Sequence, residues 1–180
     1  MRSLVCLLAP LLLLGCSTLP RHYVDRAALE EIEKVAVLPF QNLTDDPIAG
    51  EVTTRIFHAE LIRSGLFAVE ELGNIEDFMF QQRIRRRAEL DRMHLLLLRR
   101  RLGTEAVIMG TVSRFEYVGE VPRVALAVRM VTTEEGRIVW KARIERDGED
   151  YLLVLNLGRI RSLQRLCRAV ARELIRTMRR

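Results

Sequence analysis

Val35-Ala36-Val37-Leu38-Pro39-Phe40 is the stretch whose reading decides the fold. It is a continuous apolar run interrupted by a proline, which cannot donate a ladder hydrogen bond. That pattern reads as a short strand buried on both faces. Residues 41–50 (QNLTDDPIAG) gather Asn, Asp-Asp-Pro and Gly, the formers of turns and loops. Glu51 to Ser64 then has apolar residues at helical spacing. Val52, Ile56, Ala59 and Leu61-Ile62 fall on one side with Phe57 beside them, and Gly65 supplies the stop. Leu66 to Glu70 is a second short strand. A strand, a helix and a strand in succession imply parallel neighbours joined by a right-handed crossover.

Downstream, Ile75 to Leu102 is helical in two pieces. Phe78, Met79 and Ile84 face inward in the first; Leu90, Met93, Leu97 and Leu98 do so in the second, and Gly103 closes it. Ala106 to Tyr117 is a long strand. Arg123 to Thr133 alternates, with Val124, Leu126, Val128 and Met130 on one face. Glu134-Glu135-Gly136 reads as a three-residue turn into a strand from Arg137 to Arg146. Ser162 caps a last helix that runs to about Met178. The order β-α-β-α-β-β-β-α places the chain in the α/β class (α+β mixed sheet). It is a single domain with helices packed on one mixed sheet, parallel at the crossovers and antiparallel through the closing meander.

Ahead of this domain lies Leu11 to Ser17, LLLLGCS. One cation, Arg2, precedes an apolar run that ends at Gly15 and is too short for a permanent membrane span. Leu13-Leu14-Gly15-Cys16 resembles the lipobox of bacterial lipoproteins. The resemblance implies cleavage between Gly15 and Cys16, lipidation of Cys16, and, with Ser17 in place of an aspartate, transfer to the outer membrane. The chain then divides into a signal peptide 1–15, a lipidated tether 16–33 and an α/β domain 34–180. Within the tether Pro20 opposes an early helix, and Asp25 caps a brief helical turn from Ala27 to Ile32.

Removal of Cys6 with the signal and lipidation of Cys16 leave Cys167 as the one thiol, so the fold must stand without a disulfide. Cys167 falls on the apolar face of the last helix, a place for a small buried hydrophobe. The chain carries 29 Lys+Arg against 24 Asp+Glu, a net charge of +5, with Lys34 and Lys141 its only lysines. In the cytoplasm such a balance would suggest nucleic acid. An exported lipoprotein meets none, which leaves anionic lipid, lipopolysaccharide or an acidic protein surface as the counter-charge.

No catalytic set assembles. His22, His58 and His94 sit in the tether and in two separate helices, without metal-ligand spacing. Nucleophile-elbow, phosphate-loop and dinucleotide patterns are missing. Asp45-Asp46 and Glu134-Glu135 are acidic pairs in turns. The expectation is a protein that is not an enzyme and uses neither metal nor cofactor. One pattern does stand out. Arg161, Arg165, Arg168, Arg172, Arg176 and Arg179 recur at spacings of 4, 3, 4, 4 and 3, along one face of the last helix. Leu163, Leu166, Cys167, Val170, Leu174 and Met178 take the opposite side. Arg83, Arg85 to Arg87 and Arg99 to Arg101 extend the same field, a candidate surface for an anionic partner.

Val35 through Thr44 resembles the opening strand and loop of the TolB N-terminal-like superfamily, which includes CsgG and LpoB-type periplasmic domains. Leu102-Gly103-Thr104-Glu105-Ala106-Val107-Ile108-Met109-Gly110-Thr111-Val112 is similar to its next strand entry. Val128 to Val131, followed by Glu135 to Trp140, is similar to its hairpin. The likeness spans about Val35 to Ile144 and rests on sheet core and turns, so it speaks to fold more than to task. It implies a non-enzymatic adaptor or accessory subunit of an envelope assembly or transport system, bound to an envelope protein or to copies of itself. Pro39 to Thr44 and Ser64-Gly65-Leu66-Phe67 also match the lipopolysaccharide-assembly lipoprotein LptE; a regulator of a cell-wall synthase is a further alternative. No spare segments of about ten alternating residues exist for membrane hairpins, which argues against a CsgG-like pore. If the arginine stripe is the partner surface, charge reversal at Arg168 and Arg172 weakens liposome or partner binding in a salt-dependent way.

Overall fold

The Val35–Phe40 run enters the sheet interior as β2 (Lys34–Val37), where Val35, Ala36 and Val37 are fully buried. The computed structural model describes residues 21–85, 90–152 and 158–179. Pro39 breaks the strand for a definable reason. The Leu38 N–H still donates to the Ile108 carbonyl at 2.9 Å, Pro39 has no N–H, and the Phe40 N–H turns away to Thr54 Oγ1 at 2.8 Å. Pairing resumes two residues later as β3 (Gln41–Asn42), against Thr111 and Val112 of β5 (Ala106–Val118). Between the two halves the Phe40 ring lies on Gly110. A Cβ there would stand 2.5–2.6 Å from three ring carbons, so only glycine admits the contact.

The remaining elements follow as α2 (Ala49–Ser64), β4 (Ala68–Val69), α3 (Leu72–Gln81), α4 (Arg92–Leu102), β6 (Val121–Thr132), β7 (Ile138–Asp147) and α5 (Leu163–Arg176). Two elements precede β2: β1 (Arg21–Val24) and α1 (Arg26–Glu30). Among the described residues the sheet has seven strands in the order β1-β7-β6-β5-β2-β4, with β3 also beside β5. Pairings of β2 and β3 are parallel; those linking β5, β6, β7 and β1 are antiparallel. This is the mixed sheet that the element order implied.

Its two faces differ. On one, Val124, Leu126, Val128 and Met130 project together, as their alternation predicts, and are covered with Ile108 and Trp140 by α2 and α5. The fully buried Trp140 donates its indole N–H to Thr177 Oγ1 at 2.9 Å, which satisfies the one polar atom of that ring. On the other face α3 and α4 bury Ile75, Phe78, Met79, Leu95 and Leu98 against Ala36, Leu38, Val107 and Val131. Caps fall where the residue types place them. Asp25, Asp91 and Ser162 accept from backbone N–H groups at helix starts, and Gly65 and Gly103 end helices at φ of +64° and +67°.

Four expectations need correction. Residues 21–30, read as part of the tether, belong to the domain: β1 pairs with the edge of β7, whose backbone groups would otherwise be open. The buried face of α2 is Thr53, Thr54, Phe57, Glu60 and Leu61, while Ala59 and Ile62 are exposed and Val52 and Ile56 pack only partly. In α4, Leu95 is buried and Met93 is exposed. The loop expected over 41–50 contains β3. Gly15, Cys16, Ser17, Arg86 and Arg87 lie outside the described residues.

Gly110→Ala should lower the unfolding free energy by about 1–3 kcal/mol through overpacking on Phe40. A urea titration with unchanged slope checks it, and a paired Phe40→Leu substitution should recover part of the loss.

Candidate functional site

The arginines of α5 lead to α2. Glu60, on the buried face of α2, is 4% exposed. Arg172 donates from Nε to Glu60 Oε2 at 2.8 Å, Arg168 reaches Oε1 with its Nε at 3.4 Å, and Arg63 binds the same oxygen from within α2. Arg179 donates to the carbonyl of Ser64 at the end of α2. Arg176 lies beside these groups on a shallow cavity of about 210 Å³ that Glu60, Arg63 and Arg179 also line. Arg165 is exposed in the first turn of α5, and the carbonyl of Arg161 accepts from the Tyr117 hydroxyl at 3.2 Å. Three of the six predicted site residues, Arg168, Arg172 and Arg179, therefore fasten α5 to α2. Reversing Arg168 and Arg172 brings carboxylates against Glu60, so it is a folding variant before it is a binding variant. Arg161, Arg165 and Arg176 are the positions from that stripe at which a partner is better tested.

Burial would raise the Glu60 carboxyl, but its hydrogen bonds and charge contacts with Arg172 and Arg63 hold it below its ordinary value of 4.5. Glu70 behaves alike. Burial opposes its charge, while Asn74 and Lys34, whose Nζ is 2.6 Å away, favour it and lower the pKa.

The other residues singled out in the sequence do not converge. Cys167 is fully buried, its Sγ–H points to Thr53 Oγ1 at 3.7 Å, and burial pushes the thiol up to about 12. It is a packing residue and not a nucleophile at neutral pH. The His58 Nε2 pairs with the Glu70 carbonyl at 2.9 Å, and His94 sits 2.7 Å from Asp91 at the start of α4. Glu134 and Glu135 are drawn to Arg99 and Arg137 at 3.3 and 3.5 Å. Asp46 accepts the Ile48 N–H in its own turn.

A second surface is one that sequence reasoning missed. The helical cover of α3 and α4 meets β6 at Val131, and beside it lies a cavity of about 640 Å³ lined by β5, β6 and β7. Its walls at the α3 end are Leu38, Met79, Leu90 and Met109. At the other end stand Arg129, Lys141 and Arg143, and the described lining includes no carboxylate. The signal was present in the strands: Arg129, Lys141 and Arg143 occupy the phase opposite to Met130, Trp140 and Ala142. Strand alternation alone assigns that phase to solvent and cannot show that two neighbouring strands bring the cations to one place.

No protein-family model matches the chain, and no curated protein matches it. Solved structures do. The chain is similar to the PelC dodecamer from Paraburkholderia phytofirmans, at TM-score 0.59 and 18% identity over 88% of this chain and 95% of that one. It is also similar to lipoprotein GNA1162 from Neisseria meningitidis, at TM-score 0.53 and 20% identity over 81% and 98% of the two chains. The LpoB C-terminal domain from Salmonella enterica is a looser likeness, at TM-score 0.49 and 16% identity over 63% and 82%. At such identities the shared property is the fold. It is a fold that a bacterial lipoprotein uses.

The α2–α5 lock sets a pH dependence. Because Glu60 and Glu70 have folded-state values below the unfolded one, their stabilisation is present above 4.5 and is lost as pH falls through the depressed values. Melting temperature should hold near neutrality and drop between about pH 5 and pH 3. Glu60→Gln should cost about 1–3 kcal/mol at neutral pH and flatten that acid limb, as read by melts across the pH series.

Proposed function

We propose that this chain is a lipid-anchored periplasmic subunit without catalytic chemistry, held at the outer membrane through Cys16 and working in an envelope assembly as one of several copies or with a protein partner. The observation that carries the reading is the combination of Leu13-Leu14-Gly15-Cys16 with a domain whose fold is shared with a Neisseria lipoprotein and with a protein that forms a dodecamer. The finer kinship with TolB N-terminal-like, CsgG and LpoB-type domains, drawn from Val35–Thr44 and Leu102–Val112, belongs to the same proposal.

Physical features support it. The first described strand starts at Arg21, five residues after Cys16. At about 3.3–3.6 Å per residue, Cys16 to Pro20 reach at most roughly 18 Å, so the domain works close to its membrane. Among the described residues no helix is long and apolar enough to cross a membrane. Anchoring then falls to the acyl chains, of which two or more hold firmly where one binds only marginally. The non-enzymatic reading draws on Cys167 being sealed against Thr53 and on the histidines His58 and His94 each holding a local contact.

The test is metabolic labelling with an alkynyl fatty acid, combined with density fractionation. The wild-type chain should carry label and sediment with outer membranes, whereas Cys16→Ala should lose the label and leave that fraction with an unchanged melt. Label that persists in Cys16→Ala contradicts the anchor. Mass photometry and cross-linking of the native protein should show a mass above one chain; a lone monomer without cross-linked partner contradicts the assembly.

A further inference from the structure

The open sheet face combines features that an ordinary solvated surface has no reason to combine. On β7, Lys141 and Arg143 lie two residues apart, so both side chains stand on the same exposed face of the sheet. Elsewhere on β7 and its surroundings the cations are matched with carboxylates: Arg137 with Asp25 at 2.5 Å, Arg114 with Glu145 at 3.1 Å, Arg146 with Glu173 at 3.0 Å. Lys141 and Arg143 have no ion-pair partner among the described residues. Between them and the apolar wall at α3, the floor is kept low by Ala127.

The cavity is also polarised along its length. Leu38 and Met79 line the end near β2 and α3, and Lys141 and Arg143 line the end at β7. From β2 to β7 is three inter-strand steps of about 4.8 Å, a span of about 14 Å. The volume of about 640 Å³ is that of a small-ligand site and too small for a folded partner's epitope.

We propose that this groove binds an anionic single-chain amphiphile, its alkyl body over Met109 and Ala127 toward Met79, and its phosphate or carboxylate head on Lys141 and Arg143. Apolar walls offset the desolvation of the alkyl chain, and Arg143 offers the paired N–H donors that grip an oxyanion. The oxyanion also offsets the repulsion between Lys141 and Arg143 on the same face of β7. The proposal is independent of Cys16: it concerns a face of the sheet and holds whether or not the chain is anchored.

The test uses the full-length protein in phosphatidylcholine nanodiscs, with a diazirine-bearing dodecyl phosphate as the probe. Adducts are mapped by peptide mass spectrometry, with dodecanoate and inorganic phosphate as competitors. Adducts should concentrate on β5, β6 and Met79, and should fall about tenfold in Lys141→Ala/Arg143→Ala, the loss of one or two charge-assisted contacts. That double variant should melt no lower than wild type, because both side chains are exposed and hold no ion pair among the described residues. Dodecanoate should compete and inorganic phosphate should not. A diazirine analogue of dodecyltrimethylammonium should not label the groove. Equal labelling by the cationic probe, labelling unchanged in the double variant, or full competition by inorganic phosphate alone would each overturn the proposal.

Discussion

The seating of the Phe40 ring on Gly110 is the contact on which the rest of the structure depends. It forces β2 and β3 to be separate strands on one side of β5, with Pro39 at the break where no N–H is available. The backbone N–H that Phe40 cannot give to the sheet goes to Thr54, and Thr54 Oγ1 in turn donates to the Gly50 carbonyl at 2.7 Å. The start of α2 is thereby fixed over the end of the sheet. Val35–Thr44 and Leu102–Val112, the two segments that carry the sequence resemblance, are the two that meet at this contact. A motif built from such a contact identifies architecture, since its residues are spent on packing.

From that anchor point the sheet acquires two unlike faces. The first is closed: Trp140 is satisfied by Thr177, and the buried Glu60 is surrounded by Arg63, Arg168 and Arg172. A carboxylate taken out of water at a helix–helix contact is tolerable only when cations and hydrogen bonds surround it, and removal of one partner costs more than the pair contributes. Much of the cationic stripe of α5 is therefore structural. Among the described residues the second face is covered only where α3 and α4 reach, and the rest of it holds the cations of β6 and β7. The charge excess of the chain is thus divided between fastening one face and leaving the other attractive to anions.

What was legible in the sequence follows from the range of the forces involved. The alternation of β6, the glycine stops at Gly65 and Gly103 and the Ser162 cap are set by neighbours within a turn or a strand, and each stands as read. The phase of α2 is set elsewhere. Val52, Ala59 and Ile62 look like the buried side until arginines from α5 arrive to make Glu60 the inward residue. Arg21–Val24 carries no apolar pattern because an edge strand is stabilised by backbone pairing, and that leaves no mark on side-chain type. The spacing of the α5 arginines was visible, their partner was not. The groove was invisible because Met79, Met109, Ala127 and Lys141 come from four elements and share only a place.

On the proposed reading, the position of this domain relative to the membrane matters more than any reactive group within it. A short stretch from Cys16 to a sheet edge, a closed face locked by ion pairs and an open cationic face together suit a subunit that presents a surface near lipid. That account stands or falls on the chemical state of the N-terminus. Intact mass spectrometry of the protein extracted from its native envelope tests it most directly. The account predicts a chain beginning at Cys16 and carrying the added mass of a diacylglyceryl group with its acyl chains; a chain retaining residues 1–15, or one beginning elsewhere with Cys16 unmodified, would contradict it.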